Sequence, residues 1–205
     1  MNQIVFKNEK CEMKRKCAAE DSPPEVGQED NDVIDMNDCV YFHAEVNNKS
    51  IIKLIRALNS ATKYALENCY DVKHAYVYVY INSSGGDAFS GLSAMDHIRC
   101  NKVPVITIAD GFVASAATFM LLGGVERKSM QNAKILIHQL STTFWGKHAD
   151  LLDEVHNCKE LMETLHSIYV TNTYIKGPQL KSLLKKEIHM NSAQALEYGF
   201  VDEIY

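Results

Sequence analysis

Long apolar runs are absent. Nowhere do about 18 apolar residues follow one another, so no membrane-spanning helix is predicted. Met1–Lys16 mix polar and charged side chains, without the apolar stretch of a secretory signal. Paired cysteine spacing is missing as well. The six cysteines, at 11, 17, 39, 69, 100 and 158, form no C-x-x-C and do not alternate with histidine at zinc-ligand spacing. Free thiols in a reducing, cytoplasmic setting are therefore expected, with no metal and no membrane association. There is no basic stripe. The net charge of −5 has both signs interspersed, which argues against nucleic acid as a partner.

Apolar periodicity is lacking from Asn8 to Asp38, where Glu, Asp, Lys, Asn and Pro dominate around Pro23-Pro24. Residues 1–38 are expected to be a flexible arm and 39–205 one folded domain, a size that can bury roughly 70% of the unfolded surface. Cys39–Ala44 reads as a short strand. A helix follows with Ser50 as N-cap, its apolar face marked by Ile51, Leu54, Ile55, Leu58, Ala61 and Ala65.

Strand, turn and helix then alternate. Ala75–Ile81 (AYVYVYI) has the composition of a strand buried on both faces of a parallel sheet. It ends in Asn82-Ser83-Ser84-Gly85-Gly86-Asp87, and Ser90–Ile98 reads as a helix. Val103–Ala109 is a second strand that Gly111 is expected to break. Ala114–Leu122 is an uncharged helical run, and Ile135–Ile137 a third strand leading into His138. Asp150–Val170 carries Leu151, Leu152, Val155, Leu161, Met162, Leu165 and Tyr169 on a helical period, predicting a long amphipathic helix that can project towards another subunit. Ser192 caps a last helix, Ala193–Tyr198, closed by Gly199, before an edge strand over 200–204. The alternation predicts an α/β fold with a mostly parallel sheet.

Reactive groups in such sheets collect where strands end. Three candidates fall there. Gly85-Gly86 can bring backbone N–H groups close to a ligand; Ser115 stands at the start of the uncharged helix with the Ala116 N–H beside it; His138 follows the third strand, whereas His43 lies inside its apolar run. Singly, these read as a turn, a helix cap and a rim histidine. Together they supply a serine nucleophile, a base and an amide cradle for developing negative charge.

These segments resemble the proteolytic subunit of the Clp protease family. Tyr80-Ile81-Asn82-Ser83-Ser84-Gly85-Gly86 is similar to the family's Tyr-Ile-Asn-Ser-Pro-Gly-Gly loop, with Ser84 in place of proline, and Gly91–Asp96 continues the match. Gly111-Phe112-Val113-Ala114-Ser115-Ala116-Ala117 resembles its nucleophile segment and Ile137-His138-Gln139 its histidine segment. Asp150 and His156 fall where its handle helix begins, and AQALEYGFVD resembles its C-terminal helix and turn. The resemblance implies the spiral ClpP/crotonase-like fold with a projecting handle helix.

It further implies a serine endopeptidase in which Ser115 attacks the peptide carbonyl and His138 relays the proton. Gly85 or Gly86 and Ala116 would form the oxyanion hole, and the substrate polypeptide would lie as a strand beside the Gly-Gly loop. No cofactor is implied, ATP being used only by a partner AAA+ unfoldase. The assembly implied is a homo-oligomeric ring, or two stacked rings. Two departures stand out. The family's triad aspartate is missing from Leu183–His189, where Glu187 is the one acid, and Leu140-Ser141-Thr142-Thr143 replaces a glycine pair. The alternatives are a non-catalytic ring subunit, a phage head-maturation protease, an acyl-CoA enzyme of the crotonase class, and a serine–lysine dyad using Lys102 or Lys134.

Overall fold

The computed structural model describes residues 32–205, so most of the expected arm lies outside the described residues. Its last stretch is a strand. β1 (Val33–Met36) pairs antiparallel with β2 (Cys39–Phe42) across a turn in which Asn37 takes φ +61°. The sequence hides β1 because Ile34, Asp35 and Met36 are all exposed, leaving no alternation of apolar and polar residues to read.

From β2 the sheet continues in parallel through β3 (Val77–Ser83) to β4 (Val105–Ala114). Val77, Val79 and Ile81 of β3 are fully buried, but Tyr78 and Tyr80 are only partly so. The sheet thus has one core face. On its other face Tyr41 stacks on Tyr80, with ring centroids 4.9 Å apart, so the expectation of burial on both sides is corrected.

Gly111 does not end β4. It takes φ +85° inside the strand, and a Cβ there would meet Asn82 Nδ2 at 2.9 Å. At this point β4 changes partners. Ile106–Ala109 pair with β5 (Glu126–Ser129), and Phe112–Ala114 with β6 (Lys134–Leu136), both in parallel. β8 (Glu203–Ile204) adds in parallel to β5, while β7 (Met190–Asn191) adds antiparallel to β6. The result is the mostly parallel α/β sheet that the alternation predicts, with eight strands.

Helices cover the core face. α1 (Asn48–Asn68) is capped by Asn47 and not by Ser50. The Asn47 side chain accepts from the Lys49 and Ser50 N–H groups at 3.0 and 3.1 Å, and Ser50 Oγ accepts from the Asn47 N–H at 3.0 Å. Such a reciprocal cap contributes about 1 kcal/mol. α2 (Ala88–Arg99) is capped by Asp87 and packs on α3 (Ala117–Leu122) through Gly91, where a Cβ would stand 2.8 Å from the Ala116 oxygen. α5 (Gly177–Leu184) was not predicted. α6 (Ser192–Glu197) is capped by Asn191, with Gly199 beyond it at φ +76°.

α4 (His148–Asn172) has 25 residues, about 37 Å of helix. Only Leu165 and Tyr169 near its end are buried; Leu151, Leu152 and Val155 near its start are exposed. Among the described residues no helix is long and apolar enough to cross a membrane.

Candidate active site

Three neighbouring strands end together. Ser83 of β3 pairs with Val113 of β4, and Ala114 pairs with Leu136 of β6. One residue later the Ser115 N–H donates to the Leu136 oxygen at 2.9 Å, and Ser115 itself takes φ +53°. A left-handed serine costs about 1–2 kcal/mol, and it turns the chain sharply out of the sheet. Ser115 therefore precedes the helix, since α3 begins only at Ala117 and has six residues. What this turn offers the cavity is discrete amide N–H groups, since a long helix dipole is not available.

The carbonyl of this strained residue is held from behind. Thr118 Oγ1 donates to the Ser115 oxygen at 2.6 Å and lies 2.7 Å from the Tyr169 hydroxyl. Because the threonine hydroxyl has one hydrogen, Tyr169 is the donor to Thr118. Tyr169 is buried, and that burial pushes its pKa well up, so the phenol keeps its proton. This chain ties α4 to the serine turn.

The glycine pair packs against the same turn. Gly85 takes φ +94°, and a Cβ there would meet the Ala114 oxygen and Ser115 Cβ at 2.7 Å and the Ala116 nitrogen at 3.1 Å. A Cβ on Gly86 would strike the Val46 oxygen. Gly86 is fixed from both sides, by Val46 N–H to the Gly85 oxygen and Asp87 N–H to the Val46 oxygen, each 2.8 Å. The two glycines differ in what they leave free. The Gly85 N–H is already donated to Ser83 Oγ at 3.1 Å, whereas the Gly86 and Ala116 N–H groups make no hydrogen bond among the described residues. Both border one cavity with Ser115.

His138 reaches that cavity from the end of β6. Its Nδ1 lies 2.7 Å from the Gln139 carbonyl oxygen. A carbonyl can only accept, so Nδ1 carries the hydrogen in neutral His138 and Nε2 keeps its lone pair. His43 is elsewhere, 3.5 Å from Asp110 and outside the cavity wall. Lys102 and Lys134 do not line the cavity either.

Glu187 is not brought to His138 by a hydrogen bond. It is exposed, and it makes no hydrogen bond or ion pair among the described residues. β6 and β7 pair Lys134 with Asn191 and Ile135 with Met190, and the ladder ends there, short of both His138 and Glu187. The Gln139 N–H donates to the Leu184 oxygen at 2.9 Å, which keeps the 185–189 segment alongside.

The cavity holds about 850 Å³. Its far wall is a stripe of α4, Glu154, Cys158, Leu161, Leu165 and Tyr169, facing Leu92 and Phe119 from α2 and α3. These wall residues were missed in the sequence, where α4 reads as a possible subunit contact. The available signal was the spacing of Glu154 and Cys158 on the same line as Leu161 and Leu165. Leu140, Ser141 and Thr142 form part of the rim, where the resemblance led to a glycine pair.

Comparison with known proteins identifies the family. Residues 37–205 match the model of the Clp protease family. A curated relative, the ATP-dependent Clp protease proteolytic subunit of Deinococcus radiodurans, is 33% identical over 130 residues, 62% of this chain. The match spans 64% of that relative, less than two thirds of its length. With the family match running from the turn before β2 to residue 205, the chain belongs to the Clp protease family.

Proposed function

We propose that the chain is a serine endopeptidase that cleaves polypeptides. Ser115 Oγ attacks the scissile carbonyl, and His138 Nε2 accepts its proton and returns it to the leaving amine. The Gly86 and Ala116 N–H groups hold the oxyanion, the Gly85 N–H being engaged by Ser83. The observation that carries this reading is the meeting of a strained Ser115, His138 and two unpartnered amides on one cavity. Removing such a donor typically costs about 10²–10³ in turnover.

Glu187 is proposed as the acid of the triad because it is the one acid between Leu183 and His189, a segment whose start is tied to the histidine strand end by the Gln139 N–H bond to the Leu184 oxygen. In the resting geometry the Gln139 carbonyl occupies Nδ1, and catalytic hydrogen bonds commonly tighten only with substrate bound. No cofactor is required by this chemistry; ATP would be consumed by a separate AAA+ unfoldase. A homo-oligomeric ring, single or stacked, would confine the activity, and the exposed Leu151, Leu152 and Val155 of α4 offer apolar area for such contacts. The unengaged Glu187 favours one second reading, a ring subunit that holds structure without cleaving.

A serine-directed fluorophosphonate separates the two. Covalent labelling of Ser115 alone, with peptide cleavage lost in Ser115→Ala by about 10⁴-fold or more, is the expected result. An assembled protein that is neither labelled nor active is the result expected of the structural subunit.

A further inference from the structure

Among the described residues, the cavity beside Ser115 is lined by acids and holds no fixed cation. Asp87, Glu154 and Glu160 line it, and among the described residues no lysine or arginine does. Asp87 is already used, accepting the Ser90 N–H at 2.7 Å as the cap of α2. Glu154 and Glu160 have no cationic partner among the described residues. The one hydrogen bond to Glu154 comes from the Cys158 thiol, at 3.7 Å.

Position matters as much as charge. Glu154, Cys158, Leu161 and Leu165 follow one another at helical spacings of four, three and four, so one line of α4 runs from a carboxylate at its outer end to a buried leucine near the serine turn. A side chain filling this cavity expels water from around Glu154. An apolar occupant would leave that carboxylate desolvated and unpaired, which is costly, whereas a cation on an apolar stem compensates it.

We propose that this cavity selects a lysine or arginine side chain of the substrate. Its methylenes lie on Leu92, Phe119, Leu161 and Leu165, and its charged head meets Glu154, with Glu160 reinforcing the field. The inference rests on the peptidase reading for its role in cleavage, since the cavity is the one that Ser115 and His138 border.

Binding tests it without requiring turnover. Assembled full-length Ser115→Ala protein is titrated against a fluorescein-labelled alanine hexapeptide with one central lysine, and against its norleucine counterpart, reading fluorescence polarisation. The lysine peptide is expected to bind about fivefold tighter at low salt, with the advantage shrinking as salt rises. In Glu154→Gln the ratio between the two peptides falls to near one, and Glu154→Lys favours a glutamate peptide. Glu160→Gln lowers the ratio by less. Equal affinities for lysine and norleucine, a preference for norleucine, or failure of both to bind overturns the inference. A lysine preference retained in protein whose wild-type form cleaves nothing and takes no fluorophosphonate would overturn the peptidase reading and leave the selectivity standing.

Discussion

The two halves of the proposed catalytic centre are built differently. On the serine side everything is locked. Ser115 is held at φ +53° by its own N–H to Leu136 and by Thr118 on its carbonyl, and Gly85 presses on it with no room for a methyl group. On the histidine side the chain leaves regular structure after Leu136 and regains it only at α4, and Glu187 lies in an exposed stretch between α5 and β7. A nucleophile and an oxyanion cradle gain from fixed positions, because a preorganised cradle does not reorganise during reaction. The base and its acid are left adjustable.

Replacing a glycine on the locked side should do the most damage. Gly85→Ala places a methyl 2.7 Å from the Ala114 oxygen and Ser115 Cβ at a backbone angle alanine rarely adopts, so the serine turn or the loop must move. Peptide cleavage is expected to fall about 10³-fold, with thermal stability lowered by about 2–3 kcal/mol. Near-normal kcat/KM in a folded Gly85→Ala protein would show that the serine side is not locked.

On the adjustable side, Glu187→Gln is expected to lower kcat by about 10²-fold with little change in KM or stability, less than a triad aspartate whose bond is already formed. The outcome sharpens the contrast. A change under about twofold would leave the Gln139 carbonyl as the group that orients His138, and the centre would then act as a dyad.

The same contrast explains what was legible in the sequence. Ser115 and the Gly85-Gly86 pair stood out as local patterns, a serine between a strand and an uncharged run and a glycine pair at a strand end, although Ser115 reads as a helix start and the structure puts it in a strained turn before α3. The alternation of β3, α2, β4 and α3 was legible for the same reason, since it shows in local composition, β-branched in β3 and β4 and uncharged, small-then-large in α3. Gly111 misled because glycine usually breaks a strand, whereas here it lets β4 pass from β5 to β6. β7, two residues long, was hidden because it takes its meaning from a distant partner, and the α4 stripe, visible as a spacing, becomes a cavity wall only through the elements that face it. Glu187 reads as the one acid in its segment, and the structure leaves it exposed beyond the end of the β6–β7 ladder.

A buried link runs from α4 through Tyr169 and Thr118 to the Ser115 carbonyl. Tyr169→Phe removes only the hydroxyl, and the ring keeps its contacts with Phe119 and Phe200 at 5.7 and 6.0 Å. Thr118 still donates to Ser115, because that bond uses its own hydrogen. The loss is then one buried hydrogen bond, about 1 kcal/mol in denaturant unfolding, and cleavage should fall only a few-fold. A much larger fall in kcat at that modest stability cost would mean that α4 sets the angle of the serine turn. In that case the serine side would be locked from a distance, through a helix whose other end is free to meet a neighbour.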